Sequence, residues 1–241
     1  MLIETTRVEP WNINKDIRYT DVTVAEQERG ISIISTPISL VLPDSRDKSH
    51  LMNFIDTPGH ISLTGEVTAS ISICSFSSPG LRVSDGCLVC IDAIEGVMMN
   101  TERCIRHAIS QGVSIVVAFT KMDRLITDLK LPPNDAYYKL VAMLEDVNTI
   151  IDSCSQGLSL PRINPLNNNV IFCSGLHRWS FTLLSYARHY QRVFGIDIPV
   201  ESLARRLWGN VWFNYETRRF EGKTADTRAP RSFVQFCLEP M

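Results

Sequence analysis

Apolar residues along this chain fall into short dense runs that alternate with longer, sparser ones. Ile38 to Leu42 reads as a strand, Pro43 to Ser49 is polar and turn-like, and His50 to Ile55 reads as a second strand ending at Asp56. Two apolar runs parted by a polar turn predict a hairpin. Thr64 to Ser70 has helical potential, and Cys87 to Ala93 is a strand with an almost unbroken apolar face. Asn100 is the predicted N-cap of a helix to about Gln111, closed by Gly112, with Ile105, Ala108 and Ile109 as its inner stripe. Val113 to Phe119 is the most apolar strand, the pattern of a strand covered on both faces. Pro132-Pro133-Asn134 opens a long helix in which Tyr137, Leu140, Val141, Leu144, Val147, Ile151 and Cys154 recur at three and four residues. A loop from Pro161 to Asn169 leads to a strand at Val170 to Cys173. Helices at about Phe181 to Phe194 and Val200 to Trp208 follow, then a small hairpin of Val211-Trp212-Phe213 with Arg218-Arg219-Phe220. Phe233 to Leu238 is a last apolar segment, strand or helix start.

Strands alternating with helices predict an α/β fold with a doubly wound, mostly parallel sheet and one antiparallel hairpin strand. Ligands of such sheets bind outside the carboxyl ends of the strands. Asp56, Lys121 with Asp123, and Ser174 all fall at such ends. That shared placement makes two short motifs informative, Asp56-Thr57-Pro58-Gly59-His60 and Thr120-Lys121-Met122-Asp123.

In the first motif, the Asp56 carboxylate suits Mg²⁺ held through water, since a hard cation prefers oxygen. Gly59 lets its backbone N–H approach a terminal phosphate with no side chain in the way. His60 is placed to orient an attacking water, in a chemistry where the protein mainly positions groups and stabilises charge. The same five residues also read as a tight Pro-Gly turn at a strand end. In the second motif, Asp123 offers two carboxylate oxygens to N1 and the exocyclic amine of guanine, a pairing adenine does not match. The Lys121 stem suits the face of the base, and Thr120 braces neighbouring loops. Lys and Asp are also common surface residues, and only the preceding apolar strand raises this motif above that background. Ser174-Gly175-Leu176 offers backbone N–H groups to a guanine oxygen. Ser32 offers a hydroxyl to Mg²⁺, with a solvated loop serine as the plain alternative.

The totals narrow the field. A length of 241 residues and 44% hydrophobic content fit one large domain, or one with a small insert. A net charge of −2 gives no electrostatic case for bulk binding to nucleic acid or a membrane surface. No run of apolar residues is long enough to span a bilayer, and Met1-Leu2-Ile3-Glu4 lacks the basic start of a signal peptide. The seven cysteines are scattered, with Cys87, Cys90 and Cys173 inside apolar runs, so a reducing compartment is expected.

In their order along the chain, these motifs resemble a translational-type GTPase. Arg18-Tyr19-Thr20-Asp21 and Glu26-Gln27-Glu28-Arg29-Gly30 resemble switch I of the elongation factor 2 group, and Asp56 to His60 resembles its switch II. Thr120 to Arg124 resembles the base reader and Ser174 to Leu176 the last guanine loop. Within that group, Leu40 to Arg46, Asp56-Thr57-Pro58, Glu95 to Arg103 and Asp123 to Leu140 are more similar to the GTPases of the spliceosomal U5 snRNP. Ser174 to Thr182 also resembles elongation factor 2 itself, which keeps ribosomal translocation as the alternative.

The resemblance implies a P-loop NTPase-like sheet, GTP and Mg²⁺ as ligands, and GTP hydrolysis as the family's activity. It places Asp56, Thr57, Pro58, Gly59, Thr120, Lys121, Asp123, Ser174, Gly175 and Leu176 against GTP, Ser32 and Asp56 on the metal, and His60 at the catalytic position. It implies a GTP-binding domain over about residues 1–195, with a helix and hairpin insert over about 196–231. Its implied partners are U5 snRNP proteins and spliceosomal RNA in the nucleus, or the ribosome in the cytoplasm under the alternative. No membrane partner is implied. A third reading is a non-catalytic fragment that serves as an interaction surface.

One part of the family pattern is absent from the sequence. The only glycine ahead of Asp56 is Gly30, so no G-x-x-x-x-G-K-[ST] phosphate loop can be written there, and the first strand is expected to be missing with it. Gly222-Lys223-Thr224 lacks the first glycine of the motif, where Thr217 stands. Without the loop, this stretch is not assigned hydrolysis, and its GTP binding is expected to be weak or absent. Ile71 to Gly80 has no family counterpart, and its Pro79-Gly80 would break the surrounding helix, so we read it as retained intron or a mispredicted exon boundary.

Overall fold

The computed structural model describes residues 19–44, 48–71, 84–155, 160–195, 198–214, 217–222 and 230–240. Met1 to Arg18, the stretch after Ile71 through residue 83, and Lys223 with Thr224 lie outside the described residues. The chain divides into two compact units, residues 1–85 and 86–241, and each is taken by itself.

In the first unit, the run Thr23-Val24-Ala25-Glu26 is a capping box, and it starts helix α1 (Val24–Arg29). The Thr23 hydroxyl accepts from the Glu26 amide at 3.3 Å, and the Thr23 amide donates to the Glu26 carboxylate at 2.9 Å. Gly30 ends the helix in the left-handed region at φ +65°, where glycine carries no Cβ penalty. Strand β1 (Thr36–Pro43) then pairs antiparallel with β2 (Ser49–Asp56), Thr36 opposite Asp56, which is the hairpin predicted from the pattern. Leu40 is buried, whereas every residue of β2 is exposed. A 3₁₀ turn at Ile61–Leu63 leads into helix α2 (Thr64–Ile71).

The second unit alternates strands and helices as the sequence predicts: β3 (Gly86–Asp92), α3 (Met99–Ser110), β4 (Ser114–Thr120), the short α4 (Arg124–Thr127), α5 (Pro133–Cys154) and β5 (Val170–Ser174). Then come β6 (Trp179–Phe181), α6 (Leu183–Phe194), α7 (Val200–Arg206), the hairpin β7 (Trp212–Asn214) with β8 (Arg219–Glu221), and a π-helical turn at Val234–Leu238. The sheet order is β3-β4-β5-β6, the first three parallel and β6 antiparallel to β5. Val117 and Phe119 of β4, and Val170 and Phe172 of β5, have no exposed surface. The helical stripe of α5 packs into the same core through Tyr137, Leu140, Leu144, Val147 and Ile151. Among the described residues, no helix is long and apolar enough to cross a membrane.

Three local expectations are corrected. Helix α3 starts two residues early, at Met99, behind an extended Met98 that makes no side-chain cap, so Asn100 lies in the first turn rather than at the cap. Phe181 belongs to β6 rather than to a helix, because Thr182 caps α6 by accepting from the Ser185 amide at 3.2 Å. Helix α7 stops at Arg206, short of Trp208.

Candidate functional site

The carboxyl ends of β3, β4 and β5 are tied together by hydrogen bonds that the local sequence sets up. The Thr120 hydroxyl donates to the Ile91 carbonyl at 3.2 Å, and the Ala93 amide donates back to the Thr120 carbonyl at 3.0 Å. Met122 is fully buried, and its amide donates to the Cys173 carbonyl at 3.2 Å, which anchors the loop after β4 against the end of β5. An apolar plug at the middle position of Lys121-Met122-Asp123 leaves its two charged neighbours at the rim.

Lys121 takes a left-handed backbone, φ +56°, and its ammonium donates to the Asp92 carboxylate at 2.6 Å. The other oxygen of Asp92 accepts from the Ile94 amide at 2.8 Å. Burial raises the Asp92 pKa, but the Lys121 hydrogen bond and the Ile94 amide outweigh it and hold the carboxyl below its usual range. Asp123 opens α4, its carbonyl accepting from the Thr127 amide at 3.0 Å. Its side chain is only 9% exposed and lies 4.0 Å from Nε2 of His177. Ser174 is buried, and its hydroxyl accepts from the His177 amide at 3.2 Å, which shapes the exposed turn at Gly175 and Leu176. Thr120, Lys121, Asp123 and the Ser174 turn are therefore neighbours on one rim of one sheet.

The other predicted residues lie in the first unit. Asp56 closes β2 with its side chain exposed, Pro58 is buried, and a Cβ built at Gly59 would meet no atom within 4 Å. His60 caps the 3₁₀ turn: its Nδ1 accepts from the Ser62 amide at 3.2 Å and lies 2.6 Å from the Ser62 hydroxyl. That arrangement assigns the proton of the neutral ring to Nε2. The Ser32 hydroxyl donates to buried Asp21 at 2.9 Å, which leaves its oxygen lone pairs for a cation. Ser32 and Asp56 are hard oxygen donors of the type that would suit Mg²⁺. Among the described residues, no three His, Cys, Asp or Glu side chains cluster as a metal site.

Glu26 is the unforeseen centre of this loop region. Fully buried, its carboxylate accepts from the amides of Ile33 at 2.8 Å and Ile34 at 3.0 Å and from the Thr23 hydroxyl at 2.7 Å. The Ile34 amide first, then Thr23 and Ile33, lower its pKa to about 2. The Thr-x-x-Glu spacing carried that signal in the sequence. Asp92 and His177 carried none, because their partners lie far along the chain.

Comparison with known proteins gives the family of the chain. Residues 1–193 match the family model of the elongation factor Tu GTP binding domain. The chain is 48% identical, over 100% of its own length, to the 109 kDa U5 small nuclear ribonucleoprotein component GFL of Arabidopsis thaliana. The identity is also 48% to the 110 kDa component CLO of the same plant, and 42% over 94% of the chain to the pre-mRNA-splicing factor cwf10 of Schizosaccharomyces pombe. The chain spans only 24%, 24% and 22% of these relatives. A solved structure from Thermus thermophilus superposes with a TM-score of 0.40 at 24% identity, over 55% of this chain and 16% of that one. The chain belongs to the elongation factor Tu GTP-binding domain family, as a translational-type GTPase domain related to U5 snRNP components.

Proposed function

We propose that this chain is the guanine-reading and switch portion of a U5 snRNP GTPase that acts in pre-mRNA splicing in the nucleus. The observation that carries the nucleotide reading is the rim on which Lys121, Asp123 and the Ser174 turn meet, fixed by the Met122–Cys173 hydrogen bond. The Asp123 carboxylate accepts from N1–H and the exocyclic amine of guanine, while adenine presents a lone pair at N1 and is repelled. The Lys121 stem covers the base, and the turn at Gly175 and Leu176 donates backbone N–H groups to the guanine oxygen. Ser32 and Asp56 are the residues that would hold Mg²⁺, which neutralises phosphate charge when bound. Gly59 donates its amide to the terminal phosphate, with Thr57 and Pro58 setting the turn. His60, with its proton on Nε2, donates to a water and orients it for attack.

Affinity is limited by what these 241 residues do not contain. No G-x-x-x-x-G-K-[ST] is present, so the amide cradle and lysine that dominate phosphate binding come from none of them. Titration with a fluorescent GDP analogue is expected to give displacement by GDP and not by ADP, at affinities weaker than about 1 μM. Sub-micromolar affinity contradicts the weak-binding prediction, and equal displacement by ADP contradicts the base reader. The splicing assignment rests on the relatives' names and on the identity to them. Tagged protein expressed in cells is expected to recover U5 RNA; recovery of ribosomal RNA instead favours the translocase reading.

A further inference from the structure

The ion pair between Asp92 and Lys121 has a geometry that a stabilising surface contact does not need. The ammonium sits 2.6 Å from the carboxylate, yet the Lys121 side chain is 52% exposed and that of Asp92 19%. A pair with one partner so wet contributes little to folding. Asp92, in contrast, is held firmly. It is the last residue of β3, paired in register with Thr120 of β4, so the parallel ladder sets it beside the residue before Lys121. Its second oxygen takes the Ile94 amide, and its carbonyl takes the Gly96 amide at 2.8 Å. Lys121 leaves β4 through a left-handed backbone, which costs energy for a residue with a Cβ and turns the side chain out of the strand's alternation.

We propose that Asp92 is a positioning residue for guanine recognition, tethering the Lys121 ammonium so that the lysine stem lies across the base and away from Asp123. The inference rests on the base-reading role given above to Lys121 and Asp123. Two physical consequences follow from the tether. A lysine side chain has four flexible torsions, and one already fixed at its tip loses less freedom when a purine packs on its stem. Asp123 stands two residues further along, so an ammonium without Asp92 has a second carboxylate within its reach. Pairing there would occupy the oxygens that guanine needs. Asp92 thus separates the two charges of the motif, and the reader is preorganised before the base arrives.

A double-mutant cycle on the full chain tests this, with GDP affinity read from amide chemical shifts during titration. Asp92→Asn is expected to weaken GDP binding by about three- to tenfold, in the range of coupled neighbouring groups. Asp92→Glu is expected to recover part of that loss. In the Lys121→Ala background, Asp92→Asn is expected to change nothing further. Hydrogen-exchange protection of Phe119 serves as the folding check and is expected to hold in all variants. An equal loss in the Lys121→Ala background assigns Asp92 a merely structural role and overturns the proposal, as does an unchanged affinity in Asp92→Asn while the wild type prefers GDP to ADP. If the wild type itself shows no such preference, the base reader falls, and this inference with it.

Discussion

The two units carry different groups of candidate residues, and each group is held in order by a different force. In the unit from residue 86, the loops of the proposed reader grow from strands whose Val117, Phe119, Val170 and Phe172 have no exposed surface. In the unit before it, all eight residues of β2 are exposed, and order comes from short polar contacts instead. Glu26 gathers Thr23, Ile33 and Ile34, Ser32 is tied to Asp21, and His60 is tied to Ser62. Positions fixed by a packed core move little, while positions fixed by a few hydrogen bonds open at low cost. The contrast is the one expected if the proposed base reader stays rigid and the proposed switch loops move.

The sharpest way to break this comparison is in the core. Phe172 lies 5.1 Å from Phe233 and 6.0 Å from Phe119 between ring centroids, so Phe172→Ala is expected to destabilise the second unit by about 3–5 kcal/mol in urea denaturation. A loss under about 1 kcal/mol, on the order of a surface change, removes the claim of a packed scaffold. Asp123→Asn comes next. An amide offers one acceptor and one donor where the carboxylate offers two acceptors, so preference is expected to move from GDP toward xanthosine diphosphate by about 10- to 100-fold, measured by competition. A preference left unchanged removes Asp123 from the reader.

The unit that holds Glu26 is expected to answer to pH. The folded carboxyl of Glu26 titrates near 2 against a reference of 4.5, so its stabilisation is complete above about pH 4.5 and is lost as pH falls toward 2. Amide protection at Ile33 and Ile34, taken relative to the intrinsic exchange rate at each pH, is expected to fall over that window, while Val117 and Phe119 stay protected; parallel loss in both units contradicts the contrast. The smallest effect is expected at Phe54 of β2, which is 39% exposed, where Phe54→Ala changes stability by less than about 1 kcal/mol.

Much of this was legible in the residues, for identifiable reasons. The α5 stripe from Tyr137 to Ile151 and the apolar run of β4 are period signals that tertiary context reinforced. The hairpin ending at Asp56 followed from two apolar runs and a polar turn, but nothing in its alternation told that β2 would be exposed on every residue, since period reports a face and not what covers it. Strand β6 escaped because three residues ahead of a helix carry too little pattern, and only pairing with β5 makes them a strand. The Thr120-to-Asp123 motif was legible as a string, while the Asp92 carboxylate, 29 residues from Lys121, meets its ammonium only through the β3–β4 register. Glu26 was the reverse case, with its capping box plain in the sequence and its further bonds to Ile33 and Ile34 set by the turn after Gly30.

One titration of the ¹⁵N-labelled chain, first with ADP and then with GDP, decides whether a single rim reads guanine. GDP is expected to shift the amides of Thr120 to Asp123 and of Ser174 to Leu176 together along one saturating curve, with ADP leaving them in place. Equal shifts with both nucleotides, or two loops that respond with different affinities, would contradict a single guanine-reading rim.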